Sequence, residues 1–119
     1  MEIEWGDDWA RITLLGDIDL AWVATHEERL SGLFTDEPAH VLLDLGAVTF
    51  MDSTGFGLIA RLCHMCRAKD GFVYILKPSD TVLKGMEIVG LTRANQIVIA
   101  ETSEKVAHVS QHFAALEFS

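Results

Sequence analysis

Phe50-Met51-Asp52-Ser53-Thr54-Gly55-Phe56-Gly57 is the stretch whose reading decides how this chain folds. It sets an acid, two hydroxyls and two glycines after an apolar run, Val41-Leu42-Leu43-Asp44-Leu45 and then Val48-Thr49-Phe50. From Gly55 onward the apolar residues repeat with helical spacing. The octapeptide is therefore a strand-to-helix corner. Backbone N–H groups at the start of a helix have no internal partners, and the helix dipole favours negative charge there. Two uses of Ser53 follow from that. Its hydroxyl can cap the helix, a common role for serine, or it can carry a phosphate, which would occupy an anion-binding position.

Upstream of the corner, Glu2-Ile3-Glu4-Trp5 alternates with period two, Gly6-Asp7-Asp8 punctuates, and an apolar-rich run resumes over 9–15. That pattern predicts a β-hairpin with a short turn. Gly16-Asp17-Ile18-Asp19 ends its second strand. A helix is predicted over 22–34, with Leu30, Leu33 and Phe34 facing inward and Glu27, Glu28 and Arg29 outward. Asp36-Glu37-Pro38 breaks it. The run 41–45 is nearly all apolar, as in a central strand covered on both faces.

Downstream, a helix is predicted over 55–70 with Leu58, Ile59, Leu62 and Cys66 on one stripe. Arg67 and Lys69 fall in its last turn, where the dipole favours cations, and Gly71 suits the stop. A buried strand follows over 72–76 and ends at Pro78. Ser79-Asp80 caps a helix running to Val89, with Val82, Leu83, Met86 and Val89 inward. The last strand is 96–100, and Ser103 caps a final helix with Val106, Val109, Phe113 and Leu116 inward. The order β-β-α-β-α-β-α-β-α implies one α/β domain over 1–119, with a mixed, mostly parallel sheet of about five strands and about four helices.

The chain has 119 residues, half of them hydrophobic, enough for one core and too short for a typical two-domain enzyme. Its formal net charge of −9 argues against nucleic acid and against an anionic membrane surface, both of which demand clustered Lys and Arg. Only Arg61, Arg67 and Lys69 gather on one helix. A basic protein surface is the more natural partner. No run approaches the roughly 18 apolar residues of a membrane span. The start Met1-Glu2-Ile3-Glu4-Trp5 is acidic and unlike a signal peptide. Two cysteines make no disulfide framework, so the cytoplasm is expected.

Other constellations carry less. Cys63-His64-Met65-Cys66 spells C-x-x-C, but the pair sits in mid-helix, away from the N-terminus that lowers a thiol pKa, and a structural zinc would want a second ligand pair. Core packing is the expectation, with a redox or metal enzyme as the rival. His108 and His112 share a helix face, yet the Glu of H-E-x-x-H is missing, and Glu104 is placed to interact with His108. Gly55 and Gly57 are too few for a nucleotide fingerprint, and Ser53 lacks a G-x-S-x-G elbow. No catalytic residue, metal or cofactor is expected. Trp22, after the Asp17–Asp19 corner, is either a core anchor or an exposed partner contact.

Two segments, Leu15-Gly16-Asp17-Ile18-Asp19 and the run from Leu43 through Asp52-Ser53-Thr54-Gly55, stand in an order and spacing similar to the sulphate-transporter and anti-sigma-factor-antagonist (STAS) family. Val89-Gly90-Leu91 is a third, weaker match. The chain resembles the small stand-alone bacterial members, the anti-sigma factor antagonists. That resemblance implies a partner-switching cycle. The antagonist binds an anti-sigma factor that is also a serine kinase, the kinase phosphorylates the residue matching Ser53, the complex parts, and a phosphatase resets it. Asp19 matches the acid near the phosphoacceptor, Asp52 the acid before it, and Thr54 stands where the family usually has a second serine. Thr54, Gly55, Phe56, Gly57 and Trp22 are expected to join Asp19 and Asp52 around the phosphosite and partner surface, with both glycines leaving the loop open to a kinase. Related domains imply an alternative, a subunit of a lipid-transport ATP-binding-cassette system or a stress-complex scaffold.

Overall fold

A computed structural model describes residues 1–100 of the chain. Strands β1 (Glu2–Trp5) and β2 (Trp9–Ile18) form the hairpin, paired antiparallel with Trp5 opposite Ala10. Strands β3 (His40–Met51), β4 (Val73–Leu76) and β5 (Ile97–Ala100) then join in parallel, giving the order β1-β2-β3-β4-β5. Helices α1 (Leu20–Thr25) and α2 (Glu27–Asp36) cross from β2 to β3, and α3 (Ser53–Arg67) crosses from β3 to β4. Helix α4 (Asp80–Ile88) and a 3-10 turn, Leu91–Arg93, cross from β4 to β5. The expected fold class is the one observed.

Alternation along the strands builds the core. Ile12, Leu14, Val41, Leu43, Val73 and Ile75 meet Leu33 of α2, Ile59 and Leu62 of α3, and Val82 and Met86 of α4. The intervening Leu42, Tyr74 and Leu76 point to the opposite face and are buried there with Ala100. Both faces of β3 are thus covered, as its run of apolar residues requires.

The structure departs from the sequence expectations in three places. The helix expected over 22–34 starts earlier and is split at His26, whose backbone leaves the helical region (φ −103, ψ 11). The His26 ring stacks on Trp22, with centroids 4.1 Å apart, and its Nδ1 lies 2.8 Å from the Trp22 carbonyl oxygen. That contact turns the chain and lets α2 begin with Glu27 and Glu28 in its first turn, where acids suit the dipole. As expected, the runs 41–45 and 48–50 belong to one strand, twelve residues long, with register shifts against β2 near Leu15 and Gly16 absorbing the irregularity. Helix α3 ends at Arg67, so Lys69 lies beyond it, and Asp70 takes the left-handed turn (φ 55). Gly71 is needed instead for close approach, since a Cβ there would lie 1.6 Å from the Ala39 carbonyl oxygen. In α4, Ser79 caps as expected by accepting from the Val82 N–H at 3.2 Å, but Leu83 is half-buried and Val89, past the helix end, is exposed. The helix expected after Ser103, with His108 and His112, lies outside the described residues.

Candidate functional site: two aspartate-capped corners

Strands β2 and β3 run parallel and end level, Ile18 opposite Met51, and the Asp52 N–H donates to the Ile18 carbonyl at 3.2 Å. Each strand hands over to a helix through the acid that follows it. Asp19 accepts from the Trp22 N–H at 2.9 Å to cap α1. Asp52 accepts from the Thr54 N–H at 2.8 Å and the Gly55 N–H at 3.4 Å to cap α3. The cap expected of Ser53 is thus made by Asp52. A carboxylate at that position accepts hydrogen bonds and also meets the positive end of the dipole, which a hydroxyl cannot do as strongly. Ser53 becomes the first residue of α3, and it is exposed. Its hydroxyl is released from a structural role.

The other expected site residues divide. Asp52, Thr54 and Gly57 flank Ser53 at the start of α3, and Asp19 follows Ile18, whose carbonyl meets the Asp52 N–H, all at the carboxyl end of the sheet, the end at which open α/β sheets present ligands. Gly55 turns inward. It is buried, and a Cβ there would lie 2.4 Å from Met51 Cγ and 3.1 Å from the Ile18 carbonyl oxygen. It lets α3 close down on the end of β2 and opens nothing to a kinase. Phe56 is half-buried and lies over α4, where a Cβ on Gly85 would come within 2.3 Å of the Phe56 ring. Trp22 packs its indole against the core and on His26, and is half-buried. Of the two glycines at this corner only Gly57 is open, with nothing within 4 Å of where a Cβ would stand.

Sequence reasoning passed over two parts of this end. Asp17 accepts from the exposed Thr49 hydroxyl at 2.6 Å and ties β2 to β3 just before the corners. A groove of about 510 Å³ runs between α1–α2 and α3, lined by Leu20, Val23, Glu27, Thr54, Leu58 and Arg61 among others. Leu20, 69% exposed at its head, was the signal, an apolar residue directly after a capping acid. At the far end the Arg61 guanidinium lies 3.9 Å over the Phe34 ring.

The C-x-x-C pair belongs elsewhere. Cys63 and Cys66 are both buried on the inner face of α3. Burial pushes the Cys63 thiol up to about 11, and burial with the neighbouring Cys63 pushes Cys66 up to about 12. The thiolate that redox chemistry needs is suppressed. Among the described residues no helix is long and apolar enough to cross a membrane.

Known proteins share this architecture. The chain is 32% identical over 85 residues to the anti-sigma-B factor antagonist of Staphylococcus aureus (strain NCTC 8325), an alignment covering 71% of this chain and 79% of the relative. The structure of the anti-sigma factor antagonist SpoIIAA in its unphosphorylated form matches with a TM-score of 0.67 at 22% identity, covering 91% of this chain and 96% of that one. The phosphorylated form of the Bacillus protein gives 0.68 at 23% identity, covering 92% and 98%. A putative anti-sigma factor antagonist from Thermotoga maritima gives 0.75 at 17% identity, covering 91% and 92%. The sequence profile of the STAS domain matches residues 5–112, and the chain belongs to that family.

Proposed function

We propose that this chain, taken over 1–119 as a single domain, is an anti-sigma factor antagonist switched by phosphorylation of Ser53. Its partner is an anti-sigma factor with serine kinase activity. Unmodified, the domain binds that partner and frees the sigma factor for transcription. Phosphorylated on Ser53 it lets go, and a phosphatase restores it. The domain works in the cytoplasm as a binding module, without catalysis, cofactor or nucleic-acid contact of its own.

The observation that carries this reading is the exposed position of Ser53 beside an aspartate that already caps the helix. A phosphoserine adds about −1.5 to −2 charge. In water the added group stays hydrated while Asp52 keeps its bonds to Thr54 and Gly55, so the fold is expected to persist. That the SpoIIAA neighbour has a solved structure of this fold in its phosphorylated form supports that tolerance. Under a docked protein the same group would have to shed water next to the Asp52 carboxylate. Each 1.4 kcal/mol of that penalty weakens binding about tenfold, and twice that turns a tight complex into a transient one. The name of the staphylococcal relative supports the antagonist over a transporter subunit.

The test is to incubate the chain with the anti-sigma factor kinase of the same cell and ATP, and to locate the phosphate by mass spectrometry. A single phosphate on Ser53 is expected. Modification confined to Thr54, Thr49 or another residue would contradict the assignment.

A further inference from the structure

The first turn of α3 is a poor helix by composition. Gly55 and Gly57 both fall within its first five residues, and glycine weakens a helix relative to alanine. Yet this turn carries the exposed Ser53. Its closing hydrogen bond runs from the Phe56 N–H to the Asp52 carbonyl at 3.0 Å, so Ser53, Thr54 and Gly55 are enclosed between those two residues. What fixes Phe56 therefore fixes the turn.

Helix α4 supplies that hold. Gly85 lies in mid-helix, with no positive φ to require it. A Cβ there would stand 2.3, 2.9 and 3.2 Å from the Cζ, Cε2 and Cε1 atoms of the Phe56 ring. The ring occupies the space of the missing side chain, and even an alanine would have to push it away by about 1 Å to reach ordinary contact. Gly32 of α2 and Gly57 of α3 meet nothing of the kind within 4 Å. Phe56 also packs against the main core, and Gly55 seats the same turn on Met51 and Ile18. The turn is gripped by the strands on one side and by α4 on the other.

We propose that Gly85 is a positioning residue for phosphorylation of Ser53: the notch it leaves in α4 seats the Phe56 ring and so holds the turn that presents the Ser53 hydroxyl. This rests on the antagonist reading and deepens it. In the transfer, Ser53 Oγ bonds to the γ-phosphorus of ATP as the bond to the ADP oxygen breaks, and the hydroxyl proton leaves to a base on the kinase. Such transfer depends on placing the attacking oxygen in line, and a misplacement of about 1 Å can slow a reaction by up to about a hundredfold. Ser53 and Phe56 are i, i+3 neighbours on the helix surface, so a shift of one reaches the other within the same turn. The notch acts on the transfer step and not on how tightly the kinase holds the domain.

The test measures kcat and KM for transfer to Ser53 by the purified anti-sigma factor kinase of the same cell, with melting curves showing each variant folded at the assay temperature. Gly85→Ala is expected to lower kcat about tenfold with KM within about twofold. Amide exchange at Phe56, whose N–H closes the turn, is expected to quicken by about the same factor. Alanine is the better helix former, so a weakened α4 would not account for these changes. Adding Phe56→Leu, whose shorter side chain leaves room for the methyl, is expected to restore both readouts to within about threefold of wild type. Phe56→Leu alone empties the notch from the other side, is expected to lower kcat, and keeps the proposal testable should Gly85→Ala fail to fold. Ile88→Ser, on the exposed side of α4, is expected to leave every readout unchanged. A Gly85→Ala chain that is phosphorylated and exchanges as wild type would overturn the positioning role. So would a loss confined to KM, or a double variant no better than Gly85→Ala. A wild-type chain that the kinase does not modify at Ser53 would overturn the antagonist reading instead, and exchange at Phe56 would still decide whether Gly85 holds the turn.

Discussion

The corners Asp19-Leu20-Ala21-Trp22 and Asp52-Ser53-Thr54-Gly55 begin alike and end differently. Both follow paired parallel strands, and both acids cap the helix through the N–H three residues on. At that third position one carries tryptophan and the other glycine. Trp22 stacks on His26, and α1 stops after six residues with none of them buried. Gly55 lets α3 press against Ile18 and Met51, and α3 runs for fifteen residues with seven buried. The exposed hydroxyl stands only on the second corner. The modification proposed for Ser53 needs a backbone that holds its shape while charge changes, and the long, buried helix would supply that support.

The comparison can be broken most severely at Gly55. A Gly55→Leu substitution would drive Cβ into Met51 and the Ile18 carbonyl, and is expected to lose about 3 kcal/mol, the upper range for overpacking. Urea unfolding measures it. If stability is unchanged, α3 is not held against β2 as described.

The caps come next. Asp52→Ala is expected to lower stability by about 1–2 kcal/mol, and Asp19→Ala by about 0.5 kcal/mol, because no residue of short α1 is fully buried whereas seven of α3 are. Equal losses in paired urea titrations would mean that the corners are mechanically equivalent.

A smaller effect separates the outer and inner faces of α3. Gly57→Ala is expected to raise stability by about 0.5–1 kcal/mol, since its Cβ meets open space. A loss instead would show that Gly57 serves the fold. On the inner face, Cys63 and Cys66 should resist alkylation at pH 8 until the chain unfolds. Their folded values of about 11 and about 12 stand above the ordinary thiol value of 9.0. The neutral thiols therefore contribute stability that is intact below pH 9 and declines as pH rises from there toward those folded values. Melting temperatures across pH 8 to 11 check the sign, with Cys63→Ala/Cys66→Ala expected to flatten the decline.

How much of this was legible in the sequence follows from which contacts are local. The strands announced themselves because period-two alternation and continuous apolar runs are local patterns, and the five expected strands are those observed. The Asp52–Gly57 corner was legible for the same reason. The split at His26 was not, because a ring stacked on the preceding turn leaves helical periodicity intact. Asp52 and Ser53 are both good caps by residue type, and only the hydrogen bonds to Thr54 and Gly55 tell them apart. Gly55 and Phe56 looked like parts of an open loop, yet their neighbours, Ile18 and Gly85, lie 37 and 29 residues away in sequence. The groove escaped notice because its walls come from separate segments.

The central claim is that one corner carries a phosphate without harm when free but not beneath a partner. The most direct measurement is the affinity of the anti-sigma factor kinase for the unmodified chain and for the same chain bearing phosphoserine at 53, with melting temperatures of both. The account predicts matched melting curves and binding weaker by about a hundredfold or more. Equal affinities, or a phosphorylated chain that has lost its fold, would contradict it.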